Sequence, residues 1–224
     1  MIEDPWLAER LGRPVLTFEA GDLPEQVAGD AARRAPAFAQ AKVDCGDVAT
    51  TGALQDAGFR VVDVNVTLVR PAAEAQPPAD VDEATEADRE AVLDIAANHY
   101  DVSRFHRDPA IPDRVASAIK RDWAQALLDG RRGERLLVVR RGERAVGFLG
   151  VLAPSPGVRV IDLIAVHSGA RRGGAGRALV EALLASGGDR VEVGTQVANT
   201  GSLRFYERLG FTMQDTRYVL HLHA

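Results

Sequence analysis

The stretch "HSGARRGGAGRALVEALL", residues 167–184, sets two arginines and three glycines within six residues, after an apolar run and ahead of an amphipathic one. Glycine has no Cβ, so Gly173, Gly174 and Gly176 let main-chain N–H groups turn toward a single point. The amphipathic run predicts a helix over 175–186, whose first turn adds unpaired donors and the positive end of its dipole. Three phosphate-binding patterns compete for the segment. A nucleotide P-loop ends in Gly-Lys-Ser/Thr, and no lysine is present. A dinucleotide fingerprint needs a further glycine where Ala178 and Leu179 stand, and an acidic residue closing a second parallel strand. The third pattern, Arg-x-x-Gly-x-Gly between a strand and a long helix, is met by Arg171, Gly174 and Gly176. The candidate pyrophosphate cradle is therefore Arg171, Arg172, Gly173, Gly174, Ala175, Gly176 and Arg177. A glycine-rich turn that only starts a helix, its arginines solvated, accounts for the six residues equally well.

The rest of the chain narrows the choice. Its 224 residues fit one large or two small domains. With 46% hydrophobic and 26% charged residues the composition is that of a soluble globular protein, and no apolar run approaches the roughly 18 residues of a membrane span. Residues 1–20 carry acids and a proline where a secretory signal needs a basic start and an apolar stretch. Cys45 is the single cysteine, which fits a reducing, cytoplasmic setting. A net charge of −5 disfavours nucleic acid and anionic membranes as partners while leaving room for a local basic pocket. His221 and His223 alternate on one strand, but no third ligand stands at a telling sequence distance, so no metal is assigned.

Three prolines and no aromatic residue in "PAAEAQPPADV" (71–81) mark a linker, placed at 71–83, between a front part (1–70) and a main part (84–224). In the main part, Thr85 and Asp88 form a helix-start signature, and Val115, Ile119, Trp123 and Leu127 recur every four residues over a helix at 113–129. "RLLVVRR", "RAVGFLGVLA" and "VRVIDLIAV" read as successive strands, "RVEVGTQV" as another, 200–209 as a short helix, and "GFTMQDTRYVLHLH" as one or two closing strands. The front part also alternates helix and strand. Its "TTGALQDAGFRVVDVNVTL" (50–68) echoes "NTGSLRFYERLGFTMQDTRYVL" (199–220), with three helix residues fewer and no counterpart of Tyr206, as a degenerate duplicate would show.

The strand, Arg171-x-x-Gly174-x-Gly176 turn and helix, followed by Asn199, Ser202, Tyr206 and Gly210-Phe211, resemble the GCN5-related N-acetyltransferase (GNAT) family over roughly 84–224. The resemblance implies an α/β (α+β) GNAT fold: a mixed, mostly antiparallel central sheet flanked by helices, with a smaller, degenerate GNAT-like N-terminal domain. It implies acetyl-CoA as donor substrate. Main-chain groups of Ile164, Ala165 and Val166 are the implied contacts of the pantetheine arm, with Asn199 and Ser202 nearby. Tyr206 is the implied general acid, since a phenol of pKa about 10 stays protonated at neutral pH and can hand its proton to a thiolate. Asp162 stands on the strand where relatives often place a carboxylate that deprotonates the amine through water.

"SRFHRDP" (103–109) and "TQVANTGSLRFY" (195–206), together with the degraded front part, are similar to the branch of that family that acetylates dTDP-linked 4-amino-4,6-dideoxy sugars. That similarity implies an acceptor site at Ser103, Arg104, Phe105, His106 and Arg107, with guanidinium groups on the sugar nucleotide's phosphates. Acetyl would move directly in a ternary complex, and relatives often pair as homodimers. Another primary amine as acceptor (a small molecule, an antibiotic or a protein N-terminus) would leave the donor motif unchanged. So would a noncatalytic acyl-CoA-binding sensor, although a sensor has no use for the Tyr206 proton.

Overall fold

The computed structural model describes residues 1–72, 76–100 and 102–224; residues 73–75 of the anticipated linker, and Asp101, lie outside them. The strands are β1 (Ile2–Glu3), β2 (Val15–Thr17), β3 (Phe38–Asp44), β4 (Arg60–Pro71), β5 (Val81–Glu83), β6 (Arg135–Arg141), β7 (Arg144–Ser155), β8 (Val158–Val166), β9 (Arg190–Gln196) and β10 (Thr212–His223). Between them run helices α1 (Pro5–Leu11), α2 (Pro24–Arg33), α3 (Val48–Asp56), α4 (Arg89–Asn98), α5 (Asp113–Leu128), α6 (Ala175–Ala185) and α7 (Thr200–Arg208). The closing segment is a single long strand. Proline at the first helical position starts α1 and α2, where its missing N–H costs nothing. The Thr85–Asp88 capping box forms as anticipated, although it caps a 3-10 turn that leads into α4. No helix among the described residues is long and apolar enough to cross a membrane.

All the strands join one sheet in the order β1-β2-β3-β10-β4-β9-β8-β7-β6-β5. The linker at 71–83 divides the sequence but not the sheet. β4, the last strand of the front half, lies between β9 and β10 of the main half, and β10 lies between β3 and β4. Each half thus inserts its final strand into the other. The exchange is symmetric in register: Asp44 faces Arg217 as Gln196 faces Asn65, and Phe38 faces His223 as Arg190 faces Pro71. A single offset relates β3 to β9, α3 to α7 and β4 to β10, since Phe38, Val48 and Arg60 begin the first set and Arg190, Thr200 and Thr212 begin the second. Asp47 caps α3 by accepting from the Thr50 amide as Asn199 caps α7 by accepting from the Ser202 amide. The front copy therefore lacks no helix residues, contrary to the reading from the shared Thr-Gly. At the common offset Leu54, fully buried, stands where the main half has Tyr206.

Both faces of the main half's sheet are covered. Leu179, Val180, Leu183 and Leu184 of α6 pack on one, with Tyr206 and Phe211. Val92 and Ile95 of α4 pack with Ala124 of α5 and Phe148 of β7 on the other. Leu7 of α1 and Phe38 of β3 meet Phe105, Ile111 and Ile119 in a further cluster, which fastens the front half to α5.

Because β10 is flanked on both sides by front-half strands, residues 84–224 alone should not unfold cooperatively in urea. Co-expression with residues 1–72 should restore a sigmoidal transition, and a cooperative transition of the isolated piece would contradict the exchange.

Candidate functional site

β8 and β9 run parallel, but their pairing covers only Val158–Ile161 against Arg190–Val193. On its other edge β8 carries a bulge: Gly150 faces Leu163 and Val151 faces Ile161, which leaves Asp162 as the extra residue. A bulge bends and twists its strand. Past it, β9 stays with β4 through the Gln196–Asn65 pair, while β8 stays with β7 through the Val166–Gly147 pair, and the two strands part. The wedge between them opens a cavity of about 410 Å³ lined by Ile164, Ala165, Val166, Asn199, Ser202 and Tyr206, among others. The Ile164 carbonyl accepts a hydrogen bond from the Tyr100 hydroxyl, which also lines the cavity. In a strand the N–H and C=O of one residue point to the same edge and alternate along the chain, so the amides of Ile164 and Val166 face the wedge.

The turn 167–177 lies at the wide end of the wedge. Gly174 takes φ +83° as the residue before α6, a conformation that a side chain resists, and Arg172 adopts φ +64°. The first helical bond runs from Ala178 N to Gly174 O, so the amides of Ala175, Gly176 and Arg177 donate to no protein group among the described residues. The arginines do less than their number suggests. Arg171 donates to the Val166 and His99 carbonyls, tying the end of β8 to the end of α4. Arg177 is paired with Glu181 on its own helix. Arg172 is exposed and, among the described residues, free of ion pairs. Gly173 is held by Arg141, which donates to its carbonyl. The anion-attracting feature is the main chain with its helix dipole, more than the guanidinium groups.

Tyr206 is 3% exposed, edge-on to Phe205 and Phe211, and its hydroxyl has no hydrogen-bond partner among the described residues. Burial raises its pKa well above the ordinary phenol value, so it carries its proton at any physiological pH. Asp162 also lines the cavity, but both its oxygens are engaged: Arg132 donates from Nε at 2.6 Å and from a terminal nitrogen at 2.7 Å, and Trp123 Nε1 donates at 2.8 Å. A carboxylate so held has little lone-pair capacity left for a substrate proton.

Residues 95–211, more than half of the chain, match the family model described as "Acetyltransferase (GNAT) family". The chain belongs to this family. It is similar to the spore coat polysaccharide biosynthesis protein SpsD of Bacillus subtilis, 29% identical over 143 residues that cover 60% of this chain and 47% of that protein. The chain thus spans about half the length of that relative. It is also similar to the dTDP-fucosamine acetyltransferase of Escherichia coli, 26% identical over 187 residues, 81% of this chain and 80% of that one. Among solved structures, the GCN5-related N-acetyltransferase from Sphaerobacter thermophilus aligns at a TM-score of 0.59 with 16% identity, over 88% of this chain and 64% of that one, a likeness of fold. The fold is that of GNAT proteins, a mixed sheet flanked by helices.

In this GNAT chain the anticipated acceptor segment comes apart. Phe105 is 2% exposed within the α1–α5 cluster, where burying a phenyl ring contributes roughly 1.5–3 kcal/mol. Ser103 is buried too, its Oγ 2.7 Å from His106 Nδ1, and so closes its own turn. Arg107 points the other way, toward Asp63 and the Val62 carbonyl. These are corrections: a short loop alternates its side chains between core and solvent, so one run of residues does not line one pocket. Arg104 does face a cavity, of about 580 Å³, together with Trp6, Trp123 and Arg132. Its guanidinium lies over the Phe105 ring at 4.6 Å and has no ion pair or hydrogen bond among the described residues. Burial lowers its pKa to about 10. Sequence reasoning missed His99, Tyr100 and Lys120, all lining the central cavity. Only proximity in the fold distinguishes them from other polar residues of the chain.

The third partner of His221 and His223, absent from sequence spacing, is Asp108. His221 Nδ1 lies 2.6 Å and His223 Nε2 2.8 Å from Asp108 Oδ2, and Arg13 lies 2.9 Å from His223 Nδ1. Arg13 can only donate, so His223 Nδ1 accepts and its Nε2–H donates to the carboxylate. These groups lie close enough together to hold an ion. Direct hydrogen bonds join the three groups, with His221 Nε2 left buried and without a hydrogen-bond partner among the described residues, and the network ties the 103–109 loop to β10. Burial works to raise the Asp108 pKa, but hydrogen bonds from both imidazoles and the Ala110 amide outweigh it and hold it well below the usual range. The stabilisation it gives is complete above the unfolded carboxylate pKa, near 3.9, and is lost as pH falls through the lower folded value. Asp108→Asn should cost about 2 kcal/mol in urea unfolding at pH 7. The wild-type advantage should shrink as the measurement moves below pH 4.

Proposed function

We propose that the chain transfers acetyl from acetyl-CoA to the primary amine of a nucleotide-linked amino sugar by direct attack in a ternary complex. The observation that carries the donor half is the wedge between β8 and β9, with unpaired main-chain donors at its wide end and an unpartnered tyrosine hydroxyl within it. The amides of Ala175, Gly176 and Arg177, with the turn at Arg171–Gly174, receive the diphosphate. The pantetheine arm pairs with β8 along Ile164–Val166 as an added strand would. The thioester oxygen then falls to a main-chain N–H that stabilises its developing charge. Asn199 and Ser202 line the same channel. As the C–S bond breaks, Tyr206 gives its proton to sulfur.

Arg104 supports the acceptor half. A half-buried guanidinium with no direct ion pair, offset only by the longer-range pull of Asp4, is unfavourable on its own, and an incoming diphosphate supplies a closer anion. The cavity it faces is walled by Asp4, Trp6 and Leu7 of the front half, which gives the degenerate copy a part in acceptor binding. The similarity to a dTDP-fucosamine acetyltransferase over four-fifths of both chains supports a sugar nucleotide over other amines.

A CoA-release assay over nucleotide-linked amino sugars, aminoglycosides and peptides tests the acceptor class, and turnover confined to the latter two would refute it. Tyr206→Phe should lower kcat by about 10²-fold or more while the acetyl-CoA Kd from calorimetry changes little; an equal loss in both would remove the acid role. Arg104→Ala should raise the acceptor KM by about tenfold or more, the worth of one charge-assisted hydrogen bond, with acetyl-CoA binding intact.

A further inference from the structure

Lys120 projects from α5 into the central cavity at 9% exposure, in the same cavity as Ile164 and Tyr206. Its Nζ lies 4.4 Å from the Trp123 ring centroid and 5.3 Å from that of Tyr100, and it makes no hydrogen bond or ion pair among the described residues. The nearby carboxylate, Asp162, is taken by Arg132. The charged groups around Lys120 come from four other parts of the chain: Arg104 on the 103–109 loop, Asp162 on β8, Arg132 after α5, and Lys42 on β3. Three are cations and one an anion already neutralised, so the surroundings favour an uncharged amine. The remaining titratable wall is Tyr100 and Tyr206, both held protonated by burial, and His99, whose pKa is lowered by burial first and then by His167 and Arg171, the last also lining the cavity.

Building on the acetyl-transfer reading above, we propose that Lys120 in its neutral form is the base that takes a proton from the acceptor's amine, with Asp162 serving to hold Arg132 and Trp123 around it. In that role the acceptor ammonium gives one proton to the Lys120 nitrogen, and the freed lone pair bonds the thioester carbon. The C–S bond then breaks, with its electron pair going to sulfur, which takes the Tyr206 proton. The second proton on the new amide nitrogen returns to the Tyr206 oxygen through solvent, and Lys120 sheds its proton to solvent. The sum is ammonium plus thioester to amide, thiol and one released proton. Burial first, then Arg104, brings the Lys120 pKa down to about 7 against the opposing pull of Asp162, with Arg132 and Lys42 adding smaller effects. A base with that pKa is half ready at neutral pH, which suits proton transfer there.

The test compares wild type, Lys120→Met and Lys120→Arg over pH 5.5–9 with both substrates saturating, alongside calorimetric binding of acetyl-CoA to each protein. The expected result is a wild-type kcat that rises through about pH 7. Both variants should lose about 10²-fold or more and the limb itself, with the acetyl-CoA Kd unchanged to show that they fold. An unchanged limb, or a raised acceptor KM with kcat intact, would overturn the assignment and leave acetyl transfer standing. So would stoichiometric acetylation of Lys120 in the mass spectrum of wild type mixed with acetyl-CoA, because an amide is no base. Wild type that binds acetyl-CoA but acetylates no amine would sink both readings together.

Discussion

The site exists because two parallel strands stop pairing. β8 and β9 share four paired positions, up to Ile161 and Val193, and then each keeps its other neighbour and diverges. The extra residue at Asp162 causes the bend on the β7 side, and the firm pairing of β9 with β4 prevents β9 from following. Main-chain polar groups left open in this way are costly unless something else meets them. Tyr100 meets the Ile164 carbonyl, and the remaining amides line the wedge.

The strand exchange makes that divergence durable. β9 would otherwise be exposed past the wedge, and its partner there, β4, comes from the front half. The common offset between halves shows how the copies diverged in chemistry while retaining geometry. Asp47 and Asn199 cap equivalent helices, whereas Leu54 has no hydroxyl to offer where Tyr206 has one. The front half's α2 also starts at Leu23-Pro24-Glu25, without glycines and with an acid in its first turn, so an anion is repelled where the main half attracts one.

Charge distribution separates the two sides of the wedge. The donor side relies on main-chain dipoles, with Arg171 and Arg177 spent on protein contacts. Across the wedge Lys120 faces the cavity beside a carboxylate, Asp162, already committed to Arg132, while Arg104 faces the separate cavity walled by Asp4, Trp6 and Trp123. A chain of net charge −5 thus keeps unpaired side-chain cations, Arg104 and Lys120, in two neighbouring cavities.

The sequence by itself determined the elements and the donor motif, because these are local. The helices at 113–128 and 175–185 follow from apolar spacing, the turn from glycines within six residues, and the α7 cap from Asn199 three residues ahead of the amide it accepts from. Tertiary structure decided whatever depends on separated residues meeting. The linker read from prolines does not divide the sheet, since strand pairing is long-range and leaves no mark at the boundary. Lys120, Tyr100 and Asp108 acquired their places from distant neighbours: Asp162 for Lys120, Ile164, 64 residues away, for Tyr100, and His221, 113 residues away, for Asp108. The loop 103–107 does not form a contiguous site for the same reason: Arg104 faces the cavity beside α1 and Arg107 a different one beside β10, a division set by the packing of α1 against α5 that no local pattern encodes.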